Sequence, residues 1–340
     1  MSSIRFQNSL NRVSQAVPPI WMMRQAGRYH KHYQNLRTKY SFSELCKLPE
    51  VAAEVAFGPV NEFDFDLAIL FSDLLFPLEG LGMGLEYTDV GPRLGWYLTQ
   101  ENFKNLRSAS DAISFMQFQK EAMKFTREKI PRDKSLIGFV GGSWTLFTYA
   151  SMNKHDGSLT FAKSSPKLRE NFLILIEEVL IQNISLQLEG GAEVVMILDT
   201  AAGELSPNLF NEIVIPFVKK ASEKFPNRIG YYAKNATESL IKSVLENTNV
   251  VGIGFDHRLD LNSMIQSNQK GFTQGNFDQS LLFLETDEFK KELNLFIQRM
   301  KIEPNKRIGW VCGLGHGILP KTPEYHVKYF VDKIREEFEK

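Results

Sequence analysis

Read from one end to the other, the chain alternates short, almost wholly apolar runs with longer stretches in which apolar residues return every three or four positions. The short runs are Pro19–Gln25, Leu67–Asp73, Ser135–Gly142, Glu193–Thr200, Ile229–Asn235, Val250–Asp256, Gly271–Asn276 and Arg307–Gly313. Leu67-Ala-Ile-Leu-Phe71 and Val194-Val-Met-Ile-Leu198 lack any in/out alternation, so they predict strands covered on both faces, as in a parallel sheet. The intervening stretches predict helices over Pro49–Phe57, Leu168–Leu188, Pro207–Lys224, Thr237–Leu245, Leu261–Gln266, Leu281–Met300 and Pro323–Glu339. Thr322-Pro323-Glu324 brings a cap, a pre-set φ and an acid to the positive end of the last one.

Strand followed by helix, repeated about eight times, predicts an α/β fold: a single (β/α)8 TIM barrel over residues 1–340, with inserted loops and short extra helices. An open doubly wound sheet shares the periodicity, and the strand count favours the barrel. Two intervals are long. Between Asp73 and Ser135, five glycines from Gly80 to Gly95 precede a helix over Asp111–Lys129 and predict a wall or lid. Between Gly142 and Glu193, a short helix near Trp144–Met152 precedes the long one.

Composition narrows the classes. In 340 residues, 43% are apolar and 24% charged, which excludes a disordered or fibrous chain. Forty basic residues balance forty acidic ones, so no global field calls for nucleic acid or an anionic membrane. No run approaches the ~20 apolar residues of a bilayer span. Cys46 and Cys312 are too few and too far apart for a disulfide framework or a C-x-x-C metal or redox pair, which fits a reducing cytoplasm. The start, Met1 to Ser43, has no Asp or Glu and several arginines, the composition of a transit peptide. Its direct run into the first predicted strand argues for a structural role instead.

Barrel chemistry gathers where strands end, because the loops that follow them converge over a packed core. The run ends here carry Arg24 with Arg28, Ser72-Asp73, Ser143-Trp144, Asp199-Thr200, Lys234-Asn235, Asp256-His257, Gln274-Gly-Asn276 and Gly313-Leu-Gly-His316. In Met23-Arg-Gln-Ala-Gly-Arg-Tyr29, two arginines four apart around a glycine offer forked donors to carboxylates or phosphates, with no acid nearby in sequence. Asp73, flanked by Phe71, Leu74, Leu75 and Phe76, ends a buried run, where a carboxylate can accept N–H groups or stabilise a cation; an Asx turn or helix cap explains it equally well. Gly313-Leu-Gly-His316-Gly317 gives a ligand close access to backbone, and with Gly275 it can alternatively form a phosphate cup. A G-x-G-x-x-G fingerprint is absent, and no H-x-x-H or H-x-C pair marks zinc. His30, Lys31 and His32 read as solvent-facing.

Met22-Met-Arg-Gln-Ala-Gly-Arg-Tyr29, Phe71-Ser-Asp73, Trp144-Thr-Leu146 with Tyr149, Gln274-Gly-Asn276 and Leu314-Gly-His-Gly-Ile318 together resemble the uroporphyrinogen decarboxylase family, in the family's order and across nearly the whole chain. The resemblance implies a barrel homodimer of haem biosynthesis that needs no cofactor or metal. It implies removal of the four acetate carboxyl groups of uroporphyrinogen III, giving coproporphyrinogen III. Asp73, Arg28 and Arg24 are then the catalytic candidates. Arg24, Gln25, Ala26, Gly27, Arg28, Asp73, Tyr149, Thr200 and His316 are the substrate-binding ones. An arginine is a poor acid, so Arg28 is expected to act mainly through its charge. The chain departs from the family pattern at Ala201-Ala202, His257, Gln279 and Cys312-Gly313. A tetrapyrrole-binding protein that keeps the pocket without turnover is the alternative these altered walls allow. A related methyl-transferring barrel would need a thiolate-rich zinc site, which two separated cysteines do not supply.

Overall fold

A computed structural model describes residues 2–88 and 91–339. Its centre is a curled, seven-stranded parallel sheet ordered β1 (Leu67–Ile69), β4 (Ser135–Gly141), β5 (Val194–Asp199), β6 (Ile229–Ala233), β7 (Gly252–Phe255), β8 (Phe272–Phe277) and β9 (Trp310–Leu314). All six pairings are parallel. A small antiparallel hairpin, β2 (Glu86–Thr88) with β3 (Gly91–Arg93), stands apart from the sheet.

The first expected strand, Pro19–Gln25, is reduced to a single bridge between Ile20 and Cys312 of β9. Pro18 and Pro19 have no N–H to give, and Met23 turns the chain away at φ 59°. The short segment nevertheless bonds both edges of the sheet. Trp21 N–H donates to the Cys312 carbonyl (2.9 Å), Cys312 N–H to that of Pro19 (2.8 Å), and Asp66 N–H to that of Ile20 (3.1 Å). Gly313 is set by this approach, since a Cβ there would lie 2.0 Å from the Trp21 carbonyl oxygen. Asp66 adds a side-chain clamp: it accepts the Ile20 N–H (2.7 Å) and pairs with Arg335 of the C-terminal helix (2.9 Å) and Arg5 (3.3 Å).

Inside the curl, Trp21, Ile69, Ile137, Met196, Tyr232, Phe272 and Val311 form one buried cluster with Phe6. Phe6 comes from the helix Ile4–Leu10 and meets Phe272 edge-on at 5.4 Å, so the acid-poor start is built into the core. A larger cluster lies between the sheet and the surrounding helices. Pro166–Glu189 is long and apolar enough to cross a membrane by length and composition, but Phe172, Ile176, Val179, Leu180 and Ile184 are buried, and it serves as a core helix.

Two predicted helices are each two. Pro207–Ile213 and Ile215–Lys224 divide at Val214, just before Pro216, and Ala109–Phe115 and Gln117–Lys129 divide at Met116.

Candidate active site at the carboxyl ends of the strands

The turn carrying the arginines is held from three sides. Gln25 is buried and its Nε2 donates to the Leu67 carbonyl (2.7 Å), fastening the turn to β1. Tyr29 donates its hydroxyl proton to the Gln25 carbonyl (2.7 Å), and Ile318 N–H donates to that of Arg24 (2.9 Å). The Leu-Gly-His-Gly-Ile motif and the arginine turn are therefore one structure. Gly317 is needed there, as a Cβ would lie 2.4 Å from that of Arg24. Ala26 is buried, while the space beside Gly27 is open. Gln25 thus spends its amide on the protein, although its Oε1 is buried without a partner.

Arg24 and Arg28 keep water-accessible surface, and neither side chain makes a hydrogen bond or ion pair among the described residues. Burial pulls Arg24 below the ordinary arginine range; Arg28 adds to this, and Asp73 and Tyr33 oppose it. Asp73, half-buried in the turn after β1, accepts the Leu75 N–H (2.8 Å). Loss of hydration raises its pKa, against the pull of Leu75 N–H and the Tyr87 hydroxyl; Glu79 also raises it and Arg24 lowers it. The Tyr87 hydroxyl reaches Asp73 from the hairpin without a bond of ordinary geometry, and its ring packs on Phe42 at 4.5 Å. The interval expected to form a wall or lid thus brings a hairpin side chain to Asp73; Asp89 and Val90 lie outside the described residues.

The helix Ser143–Met152 carries Tyr149. Its first turn is anchored to the end of β5: Thr145 donates to Asp199 (2.5 Å) and accepts the Ala201 N–H (2.9 Å), and Trp144 Nε1 donates to the Ala201 carbonyl (3.1 Å). Asp199 is buried, which pushes its carboxyl up to about 6 despite hydrogen bonds from Thr145 and Tyr231. Tyr149 is pushed up to about 12 by burial and by the charges of Asp73 and Asp156. Its hydroxyl lies 2.5 Å from Nδ1 of His155. His316 is held down at about 4, first by burial and then by Arg24, so its imidazole is neutral near pH 7. Thr200 sits half-buried beside Asp199, its hydroxyl free of hydrogen bonds among the described residues.

Electrostatic influence therefore links Asp73, Arg24, Arg28, Tyr149 and His316 across one rim. It also brings in side chains that the motifs did not single out: Lys234 after β6, His155, Tyr87 and Tyr33. Lys234 acts on both His155 and His316 and has no ion pair among the described residues. Its place at a run end was the available signal; for Tyr87 and His155 there was none. Of the departures, Ala201 and Cys312 are buried and His257 faces Asp278 at 3.5 Å. Cys46 and Cys312 are both buried free thiols on different elements.

Two other features stand off this rim. His30 is buried rather than solvent-facing, bonded through Nε2 to Glu62 (2.7 Å), and His32 reaches Glu54 (3.2 Å). His30, Glu62 and Glu324 place ligand atoms within 4.8 Å of one another, but Glu324 accepts the Lys31 N–H and His30 already holds Glu62. A cavity of about 550 Å³ bordered by Arg12, Asn227, Val251 and Lys270 opens at the amino ends of the strands, the end of such sheets that serves stability.

A sequence profile described as "Uroporphyrinogen decarboxylase (URO-D)" matches residues 1–337. A protein named uroporphyrinogen decarboxylase from Chloroherpeton thalassium is 32% identical over 98% of this chain and 96% of its own, and one from Orientia tsutsugamushi is 35% identical over 96% of each. Among solved structures, a methyltransferase from Methanosarcina mazei has a TM-score of 0.80 over 99% of this chain and 98% of its own at 19% identity, a likeness of fold alone. With nearly every residue inside that profile, the chain belongs to the uroporphyrinogen decarboxylase family.

Proposed function

We propose that this protein removes the four acetate carboxyl groups of uroporphyrinogen III as carbon dioxide, giving coproporphyrinogen III in porphyrin biosynthesis. The observation that carries the reading is an under-paired carboxylate, Asp73, within the electrostatic reach of Arg24, which with Arg28 has no ion pair among the described residues, in a chain that matches the family over residues 1–337. We read the ring as a (β/α)8 barrel of one domain, with Pro19–Met22 in the eighth strand's place. Two features support this: its hydrogen bonds to both edges, and Trp21 in the inner cluster. The family resemblance and the cysteine usage support reading it as a cytoplasmic homodimer.

The substrate carries eight carboxylates around pyrrole N–H groups, so it needs cations at its edge and an acceptor at its centre. Arg24 and Arg28 supply forked donors that form no ion pair among the described residues. Asp73, destabilised as an anion by burial, gains from every N–H it accepts. Each cycle converts one CH2–COO⁻ and one proton into CH3 and CO2. The electron pair left by carbon dioxide is tolerable when the attached pyrrole has been protonated at carbon, and the Asp73 carboxylate stabilises that cation. Neutral His316 and Tyr149 offer hydrogen bonds without competing charge.

Incubation of purified protein with uroporphyrinogen III under reducing conditions, with chelator and no added cofactor, tests this when products are separated by carboxyl count. Stepwise loss of four carboxyl groups is expected. Tight binding with no loss overturns the enzymatic reading in favour of a tetrapyrrole carrier.

A further inference from the structure

One titratable side chain of the rim has no role in that chemistry. His155 lies in the turn after the helix Ser143–Met152, where Asn153 adopts φ 52° and folds the chain back. Its ring stacks on Tyr149, with centroids 5.3 Å apart and planes at 26°, and its Nδ1 is 2.5 Å from the phenolic oxygen. Tyr149 in turn feels Asp73. Charged and titratable groups face the pair from four elements: Asp156 in the same turn, Lys234 after β6, His316 after β9 and Asp73 after β1.

A phenol has one proton, so this hydrogen bond has two senses. When His155 is neutral with its proton on Nε2, Tyr149 donates to Nδ1 and shows only lone pairs to the cleft. When His155 is an imidazolium, Nδ1–H donates to the phenolic oxygen and the phenol's own proton is released toward the cleft. Carboxylates only accept hydrogen bonds. The first arrangement opposes them; the second donates to them and adds a positive charge.

Resting on the decarboxylase reading, we propose that His155 is a positioning residue that sets the hydrogen-bonding sense of Tyr149, and that a carboxylate-rich ligand binds with uptake of one proton at His155. The surroundings suit such a switch. Burial holds the imidazole below its ordinary range, with Asp156 opposing and Lys234 reinforcing, so the free protein favours the neutral form. The eight carboxylates of the substrate reverse that balance. His316, held at about 4, titrates well below this range, and Tyr149, at about 12, stays a phenol in both states.

The test is the pH profile of KM for uroporphyrinogen III, against that of kcat, between about pH 5.5 and 8.5. In the wild type KM should climb with pH by up to about tenfold per unit, the slope of one linked proton. His155→Asn keeps an amide near the Nδ1 position without titrating, and should flatten the KM profile. His155→Ala should raise KM several-fold, also without a slope, and change kcat less. Calorimetric titration with uroporphyrinogen III in two buffers of different ionisation enthalpy counts the proton directly, whether or not turnover follows. One proton is expected for wild type and none for either variant. Folded variants that keep the wild-type KM slope and proton uptake overturn the proposal. A wild type that takes up the proton but releases no carbon dioxide overturns the decarboxylase reading and leaves the switch standing.

Discussion

Asp66 and Asp73 flank the same short strand, β1, and have opposite surroundings. Asp66 is 3% exposed and saturated: it holds the Ile20 N–H, Arg335 and Arg5. Asp73 has the Leu75 N–H of its own turn, a tyrosine hydroxyl nearby, and one arginine, Arg24, close enough to act on it without bonding it. Where a charge is complete without a ligand, its job is to hold the chain together. Where a carboxylate is desolvated and left unjoined to the nearby arginine, the protein tolerates a cost that an incoming donor relieves. The division follows the sheet's polarity, with stability at the amino ends of the strands and chemistry at the carboxyl ends.

The sharpest way to break this contrast is to remove each carboxylate. Asp66→Ala leaves the buried Ile20 N–H without its acceptor and takes from Arg5 and Arg335 a shared carboxylate, Arg335 keeping only Asp64, and should lower unfolding free energy by about 3–5 kcal/mol in urea titration; a loss below 1 kcal/mol denies the clamp its importance. Asp73→Asn should cut decarboxylation by about 10²–10³-fold while leaving the urea midpoint close to wild type. Retained turnover would remove Asp73 from the chemistry. Arg28→Lys keeps the charge and loses the fork, so KM should rise roughly tenfold with a smaller change in kcat.

The smallest effect is a slope. The Asp199 carboxyl is pushed up to about 6 from 3.8, so the folded state keeps its proton longer than the unfolded chain. Its contribution to stability is fully present below the lower value and is lost as pH rises through the upper one. Asp199→Asn should therefore change the wild-type-minus-variant stability difference between about pH 4 and 6 and leave it level above. A difference that is level throughout would mean the burial of Asp199 has been misread.

Strands were legible because most strands covered on both faces are apolar along most of their length; β4 to β9 fall within the runs to a residue or two, β8 doing so with buried Thr273, Gln274 and Asn276, while β1 stops at Ile69, short of Asp73. Pro19–Gln25 misleads for the same reason: Ile20 to Met23 are equally apolar and buried, but Pro18, Pro19 and a left-handed Met23 leave it one bridge. Pro207–Lys224 keeps helical periodicity across a break that follows from Pro216. At the rim, Arg24, Arg28, Asp73 and His316 were legible from local motifs whose chemistry is unusual for their neighbours. Tyr87 and His155 were not, because an ordinary tyrosine in a hairpin and a lone histidine in a turn gain meaning only from tertiary neighbours. Gln25 shows the converse: a motif residue whose side chain is spent on β1.

The Ile20–Cys312 bridge joins two ends of the molecule across almost the whole polypeptide. Gln25 and Tyr29 hold the arginine turn early, but the Ile318 N–H that bonds the Arg24 carbonyl arrives only after the last strand has been synthesised and has met the first twenty residues. During translation the sheet can grow strand by strand from β1, yet Pro19–Met22 lacks its β9 partner and the cationic turn its third support until the ribosome has nearly finished. Catalytic competence is thus withheld from every shortened nascent chain.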